Sequence, residues 1–488
     1  MLINKTLLSI KKGVNTTSIR FTLVAILVSS WSIPAQVATT ENDTLILNFD
    51  EYLGYVKKFH PVAKQANLVI QVGQANLMKA RGGFDPKIEV DHDRKKFKNT
   101  EYYDELNAVF KIPTWYGIEL KANFEDNEGV FLNPDMNVPD DGLYSAGISA
   151  SLGQGLFINQ RMADLRKAKF FEEQTVADRE ILINQILFDA SLSYFNWLQA
   201  YNEVITFGVF LRNAEIRANG VDRKVEAGDE APIDATEARI TVKIRSLDLE
   251  QAKVRLMKAR LDLSTFLWLG NNLPVEIQDN VIPDIGIETT VDTTLEIEGV
   301  PLTDFVLENH PKLQSLNFKR EGLEVDRRLK ANKLLPIVDV RYNFLTEAPD
   351  IARSFNTNTY KGGFNIAFPL FLRKERGDLR LVKFKLRDNA FEIDNERINI
   401  QNKILAIYRE LESFETQNSL QDEIVTDYNT LLSAEERKFG LGESSIFLIN
   451  SRERSLINAQ LKAIELQNKF LKAKAKLFNS LARDLDNL

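Results

Sequence analysis

The chain has 488 residues, of which 27% are charged, and a formal net charge of −7 at pH 7. This acidic balance argues against a nucleic-acid-binding protein, which needs a basic surface. The chain has no cysteine, which excludes disulfide scaffolds, thiolate metal sites and a lipid-anchored N-terminal cysteine.

The N-terminal segment is typical of a secretory signal peptide. Basic residues up to Arg20 precede the apolar run "FTLVAILVSSWSI", and small residues follow in "PAQVATTEN". The apolar run is too short for a comfortable membrane span. Residues 1–38 are therefore predicted to be a signal peptide, with Ala35 or Ala38 as the last residue removed; a short N-terminal anchor is the alternative. No later stretch approaches about 18 uninterrupted apolar residues, so no transmembrane helix is predicted in the exported chain.

Two matching segments begin at His60 ("HPVAKQANLVIQVG") and His310 ("HPKLQSLNFKREG"). Each reaches a proline at the same distance, Pro86 or Pro336, and then alternates apolar and polar residues. Proline suits the first position of a helix, and the residue before it is pushed out of the helical region. The two histidines are therefore predicted to mark a helix break and not to bind a ligand.

The repeat extends along the whole chain. The histidine segments match at an offset of 250, whereas Tyr194 and Tyr408, like Gly228 and Gly442, match at an offset of 214. The first copy therefore carries 36 extra residues, and the chain is predicted to be a tandem duplication. The predicted units are residues 39–269 for the first repeat, 270–300 for a linker and 301–488 for the second repeat.

Period-two alternation predicts amphipathic strands within residues 87–156 and 337–370. Such strands fit the half-buried sheet of a soluble protein and a lipid-facing barrel strand equally well. On the barrel interpretation, the residues predicted to face lipid are Tyr144, Ile148, Val338, Val340, Tyr342, Phe344, Phe364, Ile366 and Phe368.

Long helices are predicted at residues 159–219 and 373–440, and the first spans roughly 90 Å at 1.5 Å per residue. Glycine turns lead into returning helices at 232–269 and 445–487. Apolar residues recur at every seventh position from Ile233 onward, which imposes a left-handed supercoil on packed helices. Each half is therefore predicted to hold a long antiparallel helical hairpin with a glycine tip.

These parts resemble the TolC-like outer-membrane efflux protein family. The resemblance rests on the His-Pro and Pro-strand pairs, on "GQGLF" and "FPLF" at the strand-to-helix junctions, on "SYFNWLQA" and "IYRELESF" in the long helices, and on two arginine-to-glycine tips. It implies a mainly α fold with a membrane β-barrel contribution, assembled as a homotrimer in the outer membrane of a Gram-negative bacterium. It also implies a periplasmic helical tunnel that contacts a periplasmic adaptor and an inner-membrane pump of the RND or ABC type.

Two departures from the family pattern affect these expectations. The family usually has Asn-Pro where this chain has His-Pro, and asparagine caps helices better than histidine, so a slightly weaker cap is expected. The 36 extra residues can hold one more hairpin, at about residues 106–112 and 115–124. Twelve strands per trimer is the favoured prediction; the alternative is eighteen, with six strands from each chain.

The resemblance also implies roles for the glycine tips. The residues expected to dock an adaptor are Arg223, Lys224, Gly228, Arg437, Lys438 and Gly442. The residues at the family's periplasmic aperture are Asp234, Phe439, Ser444, Leu448 and Ser451. Because Phe439 has no hydroxyl group and Leu448 is apolar, we expect an aperture closed by packing and dewetting.

No motif favours catalysis. A glycine-rich phosphate loop, a His-Glu-x-x-His pair and a cysteine nucleophile are all missing from the sequence, so an enzyme, a cofactor and a bound metal are not expected. The predicted function is a passive exit duct for efflux or type I secretion, with a drug, a metal ion or a polypeptide as cargo. The alternative is an exported periplasmic coiled-coil structural or adhesive protein, which explains the heptads but not the repeated strands.

Overall fold

The computed structural model describes residues 44–297, 307–348, 350 and 354–482. The predicted signal peptide lies outside these ranges. So do the predicted boundary between the linker and the second repeat, and the end of the predicted helix at 445–487. Within the described ranges, none of the helices combines the length and the hydropathy needed to span a lipid bilayer.

The chain alternates helices and strands in the same order in both repeats. The helices are α1 (Phe49–Phe59), α2 (Pro61–Arg81), α3 (Gln160–Ala227), α4 (Pro232–Ser264), α5 (Val291–Thr294), α6 (Pro311–Asn332), α7 (Arg373–Gly440) and α8 (Ile446–Leu481). The strands are β1 (Leu45–Leu47), β2 (Lys87–Phe97), β3 (Thr100–Pro113), β4 (Ile118–Glu128), β5 (Leu143–Ser151), β6 (Trp268–Leu269), β7 (Leu273–Pro274), β8 (Val281–Pro283), β9 (Ile337–Thr346) and β10 (Tyr360–Ala367).

The predicted helix break is present at both histidines. His60 lies between α1 and α2, and its Nδ1 accepts the N–H of Val62 at 3.2 Å. His310 caps α6 in the same way, with its Nδ1 accepting the N–H of Lys312 at 3.1 Å. An imidazole nitrogen thus replaces the side-chain oxygen of an asparagine cap. Burial lowers the pKa of His60 and lowers that of His310 to about 4, so both rings stay neutral and keep this acceptor at neutral pH.

The long helices form two antiparallel hairpins, α3 with α4 and α7 with α8. Both α3 and α7 contain 68 residues, which corresponds to roughly 100 Å each. Helix α3 continues eight residues beyond its predicted end at 219. Helix α4 stops at Ser264, earlier than the predicted 269, because β6 begins at Trp268.

The main hydrophobic core lies midway along the long helices α3 and α7, at the level of α1 and of the C-terminal ends of α4 and α8. Its largest fully buried side chains include Tyr194, Phe195 and Trp197 of the "SYFNWLQA" motif. The Tyr194 hydroxyl donates to the carbonyl of Leu47 at 2.7 Å and accepts the N–H of Asp284 at 3.0 Å. The predicted linker is thereby fixed to the helices as short strands: β8 pairs in parallel with β1, and β6 pairs with β7.

Six strands form one antiparallel sheet in the order β10-β9-β5-β4-β3-β2. The favoured expectation of four strands per chain is therefore corrected to six, the number that the eighteen-strand alternative requires. The segment "KKFKNTEYYD" spans the turn of the β2–β3 hairpin. Its turn places Lys98 and Asn99 at φ of +48° and +59°, the left-handed conformation that a tight hairpin turn needs.

Candidate functional site

The six-stranded sheet has one apolar and one polar face. Its register places the side chains of Ile88, Phe110, Ala122, Ala146, Phe344 and Tyr360 in one row across all six strands. Because side chains alternate along a strand, the rest of each strand can be assigned to a face from this row. The apolar face contains eight predicted lipid-facing residues: Tyr144, Ile148, Val338, Val340, Tyr342, Phe344, Phe364 and Ile366. Phe368 follows the last residue of β10 and lies outside the strand.

The apolar face is exposed in the single chain, and aromatic side chains gather at its end far from the helices. Phe364 is 75% exposed and Ile366 is 62% exposed. The rings of Phe124 and Tyr144 lie 4.7 Å apart, and Tyr342 stacks on Tyr360 at 5.3 Å. An exposed apolar band that ends in aromatic rings is typical of a barrel strand at a membrane interface.

The stagger of the strands gives their tilt. Strands β2 and β9 begin directly after Pro86 and Pro336, which occupy equivalent helix-to-strand corners in the two repeats. The register nevertheless places Lys87, at the start of β2, level with Asn343, six residues beyond the start of β9. With both corners at one height, six residues over four strand spacings correspond to a tilt of about 45°. Transmembrane barrels have strands tilted by about 35–45°.

The two glycine tips have the same backbone geometry. Gly228 ends α3 at φ +84° and Gly442 follows α7 at φ +77°. The next residue after each glycine donates its N–H to the carbonyl of the lysine at the helix end, Lys224 at 2.8 Å and Lys438 at 2.9 Å. This is the Schellman pattern, in which glycine takes the left-handed position. The other predicted tip residues, Arg223 and Arg437, are exposed.

The predicted aperture residues are only partly brought together. Nζ of Lys224 lies 4.4 Å from the centroid of the Phe439 ring, so a predicted docking residue and a predicted aperture residue join the two hairpins within the chain. The Ser444 hydroxyl donates to Glu435 at 2.5 Å. Leu448 is 39% exposed and Ser451 is exposed. Asp234 lies in the first turn of α4, and in the described part of the chain no hydrogen bond or ion pair joins its carboxylate to another predicted site residue.

A buried ion cluster near the tips was missed by the sequence analysis. The side chain of Glu453 in α8 is 0% exposed; it accepts Arg217 of α3 at 2.8 Å and Arg245 of α4 at 3.2 Å. One carboxylate thus ties both hairpins together. The sequence did contain a signal for this cluster. Glu453 comes four residues after Ile449 and three before Leu456, both of which are buried, so it occupies a core position of the heptad.

The heptad stripe predicted on α4 is exposed and does not pack within the chain. Its exposed fractions run from 70% at Ile233 to 46% at Val254, whereas the buried face of α4 includes Ala238 and Ala252. A second exposed heptad on α7 comprises Phe384, Phe391, Ile398 and Leu405. Coiled-coil stripes of this kind need a partner outside the chain to bury them.

Residues 302–483 match the family described as outer membrane efflux protein, and no curated protein matches the sequence. The CmeC outer membrane channel of Campylobacter jejuni is 13% identical with a TM-score of 0.63, covering 91% of this chain and 86% of that chain.

Two further channels give the same result. The VceC outer membrane protein of Vibrio cholerae is 12% identical with a TM-score of 0.63, covering 90% of this chain and 97% of that chain. The open-state MtrE outer membrane channel of Neisseria gonorrhoeae is 13% identical with a TM-score of 0.64, covering 89% and 88%. Residues 302–483 thus match the outer membrane efflux protein family, and the fold of the described chain is that of outer-membrane channels.

Proposed function

We propose that three copies of the chain form a passive exit duct, which receives cargo from a periplasmic adaptor and an inner-membrane pump and releases it outside the cell. The observation that carries this proposal is the open six-stranded sheet with an apolar, exposed face. An open sheet edge cannot face lipid, because its backbone groups would lack hydrogen-bond partners. The sheet must therefore be closed by other copies of the chain.

The directions of the two edge strands allow this closure. Strand β2 runs away from the helices and β10 runs back toward them. Strand β10 of one copy can therefore pair with β2 of the next in the antiparallel manner found throughout the sheet. Three copies give eighteen strands, a number that leaves an aqueous channel in known barrels. Such a barrel is about half as wide again as a twelve-stranded one, since diameter grows roughly with strand number.

The exposed heptad stripes supply a second support for the trimer. The α4 stripe extends from Ile233 to Leu261, a length of roughly 40 Å. Burying a leucine or isoleucine contributes about 1.5–3 kcal/mol each, so a neighbouring helix along this stripe would stabilise the assembly strongly. In this arrangement the helices continue the barrel as a tunnel through the periplasm.

The tips are proposed as the closed periplasmic end. The contact of Lys224 with Phe439 and the buried Glu453 hold the two hairpins of one chain together. Exposed apolar residues remain beside them, including Leu441 at 76% and Phe447 at 65%. We therefore propose that Leu448 and its neighbours close the aperture by apolar packing, while the exposed cations Arg223, Arg437 and Lys438 contact the adaptor.

Native mass spectrometry of detergent-extracted protein from separated membranes tests the proposal. We expect a trimer in the outer-membrane fraction, whereas a periplasmic monomer or dimer would favour the structural or adhesive alternative. Leu247→Glu places a charge in the middle of the α4 stripe and should reduce the trimer. Ser246→Glu introduces the same charge on the adjacent exposed residue, off the stripe, and should leave the trimer intact.

A further inference from the structure

The polar face of the sheet contains a cleft where the strands meet the helices. Its volume is about 690 Å3, and it is bordered by β4, β5, β9, β10, the β5–α3 junction and the end of α6. Its charged residues are four cations, Lys121, Arg161, Lys333 and Arg341, and two carboxylates, Glu119 and Asp339. The cleft therefore carries a positive excess in a chain whose overall charge is negative.

The carboxylates do not satisfy all four cations. Glu119 is shared, since it accepts Arg161 at 2.8 Å and lies 3.7 Å from Nζ of Lys121. Nζ of Lys333 donates to Gln160, a neutral partner, at 3.2 Å. The exposed Arg341 has no carboxylate within 4.0 Å among the described residues.

The donors that a ligand can reach in the cleft are those of the exposed Arg341 and the half-buried Lys333. Nε of Arg161 is buried without a hydrogen-bond partner in the described part of the chain and is not accessible to a ligand. Arg341 and Lys333 thus offer donors to a ligand with several acceptor oxygens.

The positive charge continues from the cleft toward the edge of the sheet. Lys121 lies directly opposite Lys111, which lies directly opposite Lys87. Like charges at opposite positions destabilise a sheet by about 0.2–1 kcal/mol per pair. Glu89 pairs with Lys111, but the row still places three lysines side by side on the polar face.

We propose that this cleft is an anion-binding site on the conduction path, which selects small solutes that carry carboxylate or phosphate groups. The proposal rests on the proposed duct, in which the polar face lines the lumen. In a trimer, three clefts form a ring of lysine and arginine side chains at the base of the barrel, the arrangement that favours anions in pores. A guanidinium group such as that of Arg341 can donate two parallel hydrogen bonds to two oxygens of one carboxylate or phosphate group.

The test measures ion selectivity of the full-length trimer in planar lipid bilayers under a gradient of dilute KCl. We expect chloride to be preferred over potassium by roughly threefold, the ratio that a lumen potential of about half of kT would give. High salt should remove this preference, because the screening length shortens to about 3 Å at 1 M. Arg341→Gln should lower the preference clearly, whereas Arg341→Lys, which keeps the charge, should retain it.

A matched control locates the effect. Lys361→Gln removes one positive charge from the same polar face, at the end of β10 far from the helices. There Nζ of Lys361 lies 3.5 Å from the carboxylate of Glu125. This variant should change the ion selectivity less than Arg341→Gln does. Added inorganic pyrophosphate should reduce the current of the original protein and not that of Arg341→Gln. Conducting trimers that do not prefer chloride, or equal changes in ion selectivity in Arg341→Gln and Lys361→Gln, would overturn the anion-binding site alone. Protein that forms no pores would overturn both the duct and the anion-binding site.

Discussion

Replacing Glu453 by glutamine should loosen the helical tips. Glutamine has nearly the same shape but no charge, so Arg217 and Arg245 would keep their buried positions, at 11% and 7% exposure, without the carboxylate of α8. Removing one partner of a buried ion pair costs about 3–5 kcal/mol. Arg217 retains Glu436 and Arg245 retains Asp248, each at 3.5 Å, so we expect the lower value, about 3 kcal/mol.

Hydrogen exchange with mass spectrometry measures this loss directly at the tips. A local opening free energy lower by about 3 kcal/mol corresponds to exchange roughly 150-fold faster in peptides from the start of α8. The control is Glu465→Gln on the same helix, where the carboxylate is 41% exposed and pairs with Lys462 at 2.9 Å and with Lys469. Exposed pairs contribute about 0–1 kcal/mol, so its exchange should change by a few-fold at most. Equal exchange in the two variants would refute the role of Glu453 as the tie between hairpins.

Three further outcomes follow from the described geometry. The free energy of unfolding should fall as the pH is lowered from about 6.5 to 4, because the pKa of His310 is about 4 in the folded chain and near 6.5 in the unfolded chain. The unfolded chain therefore binds the proton first, and the full loss is about 3 kcal/mol. His310→Asn, which caps the helix without titrating, should make the thermal unfolding temperature less dependent on pH in this range. Gly442→Ala should destabilise the tip by about 1–2 kcal/mol, because a φ of +77° is strained for alanine. A Cβ at this position would meet no atom within 4 Å, so the strain is in the backbone alone. The control is Gly440→Ala, inside α7 and equally unobstructed, which should not destabilise the tip in the same unfolding assay. Leu448→Asp should raise cation selectivity in planar bilayers, and an unchanged reversal potential would remove Leu448 from the pore wall.

The sequence by itself determined the features that depend on neighbouring residues. Alternation marked β9 and β10, because successive side chains point to opposite faces of a strand. The prolines after His60 and His310 marked the helix breaks, because a proline restricts both its own backbone and that of the preceding residue. The glycines at 228 and 442 marked the tips, since each takes the left-handed conformation that closes a helix.

The tertiary structure decided the features that depend on residues far apart in the chain. The strands of the two repeats join into one sheet because β5 pairs with β9, from Tyr144 opposite Thr346 to Ser151 opposite Asp339. Glu453 is a structural tie only because Arg217 and Arg245 reach it from two other helices. The heptad of α4 predicted a packed helix, but an apolar stripe looks the same whether it meets its own chain or another copy. Burial alone distinguished these cases, because it depends on how the whole chain is folded.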